Sequence, residues 1–192
     1  FRRTSLAKSS SFRDCSRSLP GVEWCICTTF KEGLHNYGRP AKTFPRSSAV
    51  GRFGKSTQAE KAFTAVFDSD PQGNLADDAL CNIAILALNQ NAIAQAESIF
   101  TRLLQDYPTA TIAEYQGCSE HGRTGAKALL GLVNCSLARG NAALAAEQIA
   151  KLKDYSDSWV DTASGKKTYG ELAAELLKTW EQANKEYQEQ MK

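Results

Sequence analysis

The sequence predicts an all-α protein: antiparallel helical hairpins preceded by an irregular basic arm. Three observations predict it. From Ser56 onward the chain is rich in Ala, Leu, Gln and Glu, which are strong helix formers. Its apolar residues recur at three- and four-residue spacing, the mark of a helix with one buried face. The segments so marked are joined by short turns, which sets consecutive helices antiparallel.

Each helix follows from its own stripe and its own stop. Thr57 to Phe67 puts Ala59, Ala62, Phe63, Val66 and Phe67 on one face and ends at Asp70-Pro71. Asn74 is placed to cap a second helix, with Asp77 and Asp78 favourable to the dipole in its first turn and Leu80, Ile83, Ala84, Ala87 and Leu88 inward. After Asn89-Gln90-Asn91, a third helix runs from Ala92 to Asp106 on Ala96, Ile99, Phe100, Leu103 and Leu104, stopped by Tyr107-Pro108. About fifteen less regular residues follow. Thr124 or Gly125 opens a fourth helix reaching Arg139, Gly140 breaks it, and Ala142 to Leu152 forms a fifth. Gly165 and Thr168 precede a long final helix, Tyr169 to Gln190, with Leu172, Leu176, Leu177, Trp180 and Ala183 along one side; Lys166-Lys167 reads as a solvated turn.

Charge divides the 192 residues in two. Residues 1–55 carry 11 Lys+Arg against 3 Asp+Glu, and residues 56–192 carry 12 against 18, so a near-neutral net charge of +2 is a +8 arm cancelling a −6 body. The arm is rich in Ser and Arg, contains Pro20, Pro40 and Pro45, and shows no sustained helical or strand period. It reads as a transit-like or extended segment, which implies an organelle, mitochondrion or plastid, with the cytoplasm as the alternative. Contact with neighbouring subunits and, as a lesser reading, with nucleic acid are its other uses. No run approaches the roughly 18 apolar residues of a membrane span. Of the six Cys, Cys81 and Cys135 fall inside helical patterns as small apolar residues, which favours reduced thiols.

Two local strings carry chemistry elsewhere and are weak here. Cys25-x-Cys27 with His35 lacks a fourth zinc ligand and the spacing of a structural site. Ala49 to Ser56 loosely matches a phosphate-binding loop, but no buried strand precedes it and no parallel sheet follows, so it reads as a Gly-containing linker before a helix. No cofactor and no metal is expected.

Over roughly residues 57–153 the pattern resembles a tetratricopeptide repeat. Counting back from Pro108, Leu80, Ile83 and Ala84 take the large, large and small positions of the unit's first helix, and Ala96, Phe100 and Pro108 those of its second. Ala59, Phe63 and Pro71 repeat the second half upstream; Leu129, Leu132, Gly140, Ala145, Ile149 and Leu152 form a degenerate unit downstream. Three features depart from the family. The first unit lacks its first helix, the step from Asn91 to Gly140 is 49 residues rather than 34 so that 109–123 is an insertion, and the usual aromatic is Ala87 in one unit and Ser136 in the other. A generic Ala-rich bundle is the alternative. The resemblance implies a short solenoid whose last helix caps the stack.

It also implies a function: a non-enzymatic scaffold or adaptor for protein partners, within a larger assembly. In such a stack the first helices of successive pairs line a concave groove, which places Asp78, Cys81, Ile85 and Asn89 beside Lys127, Leu130 and Asn134 as the partner-binding residues. That mixture suits an extended peptide or a helix. The basic pair that clamps a C-terminal carboxylate in some members is not present. Tyr115, His121 and Trp180 are further partner surfaces. The alternative is a small hydrolase or metal protein using Cys118 and His121, the latter being one of two histidines in the chain.

Overall fold

The computed structural model describes residues 49–114 and 118–191. The arm before Ala49, with Cys25, Cys27 and His35, lies outside them, as does Tyr115. Six α-helices and three short strands follow in chain order: α1 (Ala49–Ser69), α2 (Ala76–Asn89), α3 (Ile93–Asp106), β1 (Glu120–His121), α4 (Thr124–Ala138), α5 (Ala142–Lys151), a 3-10 turn (Leu152–Tyr155), β2 (Trp159–Thr162), β3 (Gly165–Thr168) and α6 (Tyr169–Gln190). From α1 to α5 each helix packs on the next, and α2 also packs on α4. Neighbouring helices stacked in sequence are therefore the architecture of the body.

The two hairpins α2–α3 and α4–α5 turn in the same way. Behind α2, the amides of Gln90, Asn91 and Ala92 donate to the carbonyls of Leu86, Leu88 and Ala87; behind α4, those of Arg139, Gly140 and Asn141 donate to Cys135, Leu137 and Ser136. Every one of these six pairs is related to its counterpart by the same shift of 49 residues. Asn91 (φ 62°) and Gly140 (φ 75°) hold the left-handed position that ends each helix, a conformation Gly and Asn adopt most readily. The small residues at the crossings, Ala96 and Ala145, are both fully buried, again 49 apart.

Helix α4 is the centre. It is apolar nearly all round, and every residue from Thr124 to Leu137 except Asn134 is buried, as expected of a helix with neighbours on all sides. Phe100 of α3 lies fully buried against the backbone of Gly131, where any side chain would collide with its ring. Helix α6 packs across α4 and α5. A capping box starts it: the Thr168 hydroxyl accepts from the Glu171 amide and the Glu171 carboxylate accepts from the Thr168 amide. Tyr169, Ala173 and Leu176 are buried and Trp180 half-buried, but every residue from 181 to 191 is exposed.

Several expectations need correction. The body is not all-α: β1, β2 and β3 form an antiparallel sheet in that order, with Glu120 opposite Val160 and Trp159 opposite Thr168. Lys166-Lys167 is therefore part of a strand rather than a plain turn. The local reason is a tight hairpin at Ala163-Ser164, closed by Gly165 at φ 110° and by the Thr162 hydroxyl donating to the Gly165 carbonyl at 2.6 Å. The first helix begins at Ala49, so the string Ala49 to Ser56 is helical and forms no loop. Asn74 does not cap α2; Leu75 stands at that position with no side-chain bond.

Candidate functional site

The first turns of α2 and α4 lie side by side, joined by a short hydrogen bond from the Thr124 hydroxyl to the Asp77 carboxylate. Around that junction gathers the main buried polar cluster among the described residues. Lys127 Nζ donates to Glu120 Oε2 at 2.7 Å, with both side chains about nine-tenths buried. Asp78 Oδ2 accepts from the Ala113 amide at 2.8 Å. Cys81 lies fully buried beneath, and Tyr169 closes the cluster from α6. Two helix starts and one strand thus aim charged groups at one place, beside the neutral hydroxyl of Tyr169.

The environment sets their protonation. Burial pushes Asp78 up to about 6, opposed by the Ala113 amide and the charge of Lys127. Burial also pushes the Cys81 thiol up to about 12, so it is neutral and unreactive at physiological pH. Burial alone would lower Lys127, but the charge and hydrogen bond of Glu120 and the charge of Asp78 reverse the shift, so the ammonium stays charged. Burial raises the Tyr169 hydroxyl as well, and its Oη has no hydrogen-bond partner among the described residues. An unmet buried hydroxyl costs about 1–3 kcal/mol. Tyr169→Phe should therefore leave stability unchanged or raise it by about 1 kcal/mol in urea unfolding, whereas a loss above that would reveal a bond to the hydroxyl.

Asp78 makes stability depend on pH in a calculable direction. Its folded value, about 6, lies above the ordinary 3.8, so the folded state holds this proton more tightly than the unfolded chain. The group costs nothing below pH 4, and its penalty grows as pH rises towards 6 and is complete above it. Two pH units correspond to roughly 3 kcal/mol. Asp78→Asn keeps an oxygen for the Ala113 amide and removes the penalty. The variant should gain on the parent by up to about 3 kcal/mol between pH 4 and 7; urea midpoints of both proteins at the two pH values measure it.

Of the seven predicted partner-binding residues, Asp78, Cys81 and Lys127 converge here. In place of an open groove, these positions are covered in the structure: Cys81, Ile85, Lys127 and Leu130 are 0, 8, 7 and 3 % exposed. Asp78, Cys81 and Lys127 are covered by the residues that lead up to α4, because Ile112 inserts into the apolar core and Glu120 reaches Lys127. Asn134 is half-buried and bonds the Leu130 carbonyl of its own helix, and Asn89 is exposed at the end of α2.

Cys118 and His121 are not bonded to each other. The Cys118 thiol donates to the Glu120 carbonyl at 3.0 Å. His121 stacks on Trp159 with ring centroids 5.2 Å apart, its nitrogens 3.6 Å from Glu114 Oε1 and 3.5 Å from Asp161 Oδ2. Lys166 Nζ stands 4.7 Å from the centre of the same indole. Among the described residues no group of three or more His, Cys, Asp or Glu is arranged to hold a metal ion, and no helix is long and apolar enough to cross a membrane. Sequence reasoning missed Glu120, Asp77, Thr124 and Tyr169; a carboxylate seven residues before a lysine on a buried helix was the available sign of the first. No family model, no curated protein and no solved structure matches this chain.

Proposed function

We propose that the protein is a non-enzymatic scaffold or adaptor, a short tetratricopeptide-like stack of helical hairpins that holds a protein partner along the side where α2 and α4 meet. The observation that carries this reading is the packing order: each helix from α1 to α5 lies on the next, α2 also lies on α4, and in both hairpins a fully buried alanine, Ala96 and Ala145, stands at the same distance after the turn. The junction of α2 and α4 supplies charged and aliphatic side chains, a mixture that suits an extended peptide.

Selection of displayed random peptides on the immobilised chain tests the reading. Enrichment of a related peptide set, weakened about tenfold or more by Asn89→Arg or Asn134→Arg, is the expected result. No enrichment over a folded helical control overturns it. The alternative, a hydrolase or metal protein using Cys118 and His121, requires selective labelling of Cys118 by a thiol probe or a bound metal by elemental analysis. The basic arm fits an organellar address, and a reporter fused behind residues 1–55 that stays in the cytoplasm would remove that part of the proposal.

A further inference from the structure

The residues that cover the junction of α2 and α4 make the contacts a bound peptide would make. The stretch before the strand is extended: Thr111 bridges to Arg123, and the Ile112 amide donates to the Gly122 carbonyl. Ile112 is the single fully buried side chain of 109–114 and enters the core. The next amide, Ala113, donates to Asp78, and Glu120 supplies a carboxylate to Lys127. One aliphatic anchor, one backbone donor and one acid thus meet two of the charged residues expected to bind a partner.

We propose that 111–114 and 118–120 are a built-in occupant of this face, which a partner displaces by offering the same chemistry: an extended peptide with an aliphatic residue in place of Ile112 and a carboxylate in place of Glu120. The proposal rests on the scaffold reading above. Its physical basis is the unequal way the parts are held. The helices are joined by continuous apolar faces, whereas the occupant is held by one aliphatic anchor, Ile112, and by a backbone bond and an ion pair that a peptide of the same chemistry can replace one for one. β1 is two residues long and contributes two register pairs, against four between β2 and β3, so its release leaves the hairpin intact. Gly122 at φ 101° precedes Arg123, whose guanidinium lies on Tyr155 and Asp157, so the chain beyond remains anchored. Lys127 is never stranded, because the exchange trades one carboxylate for another.

Native-state hydrogen exchange on the full chain is the first test. The Ile112 and Ala113 amides should exchange at least tenfold faster than those of Phe100 and Val133, with little dependence on added urea. Exchange at the same rate and with the same urea dependence as α3 and α4 makes the stretch part of the cooperative core and overturns the proposal. The second test uses a synthetic peptide copying residues 109–123 against the parent and Ala113→Pro, which lacks the amide given to Asp78. Binding at least tenfold tighter to the variant supports cis occupancy. Equal binding to both overturns the occupancy and leaves the scaffold reading standing, and binding to neither, when the amides do open locally, overturns the scaffold reading itself. If the proline variant does not fold, the exchange measurement decides.

Discussion

Replacing Lys127 by Met should cost the protein about 3–5 kcal/mol, the usual consequence of leaving one member of a buried ion pair without its partner. The ammonium is 2.7 Å from Glu120 Oε2 and both side chains are close to nine-tenths buried, so little water can reach the carboxylate once the charge is gone. Asp78 loses stabilisation at the same time, because Lys127 is one of the groups that hold its carboxyl down; its folded value should climb further above 6. Converting Glu120 to Met as well should restore much of the loss, since a well-packed apolar pair commonly replaces a buried ion pair without penalty. Urea unfolding of the parent, the two single variants and the double variant closes the cycle. A single variant within 1 kcal/mol of the parent would mean that Glu120 is solvated.

Phe100→Ala should cost a comparable amount, about 3–5 kcal/mol. The size of such a loss depends on whether the walls can move into the space. Here one wall is the bare backbone of Gly131, with no side chain to swing inward, on a helix gripped on all sides. The space should remain open and the cost should lie in the upper part of the range. The reverse change, Gly131→Ala, gains roughly 1 kcal/mol of helix propensity but forces the ring aside, and overpacking of this kind costs about 1–3 kcal/mol. It should come out destabilising, though by less than the loss of the ring. Thermal and urea midpoints of both variants give the order directly.

The stacked helices were legible because their apolar stripes are local and repeat at helical spacing, and because breakers stand where helices stop. The expected helix from Tyr169 to Gln190 matches the observed one residue for residue, and the capping box that starts it lies within four consecutive positions, Thr168 to Glu171. The sheet was hidden for the opposite reason. Its strands have two and four residues, one contains Lys166-Lys167, and Glu120 pairs with Val160 forty residues away, a register no window can see. The site divided along the same line. Repeat register aligned Asp78, Cys81 and Lys127, whereas the cover over them depends on where an irregular stretch docks. Helical spacing says which residues share a side, but not whether another part of the chain already lies on it.

The exposed end of α6 has its own consequence for how the protein melts. From Glu181 to Met191 every residue of the helix is exposed, and side-chain links such as Gln182 to Glu186 at 2.8 Å run along it. A helix of this length without tertiary support is marginal in water and unwinds gradually on warming. Far-ultraviolet circular dichroism should therefore lose helical signal well before the body unfolds, as a slope ahead of the cooperative step. The emission maximum of Trp159, in the sheet, read in a variant with Trp24→Phe and Trp180→Phe, should stay constant over that interval. The tail thus acts as a non-cooperative thermometer attached to a cooperative domain, and a melting curve read from helicity alone would make the domain look less two-state than it is.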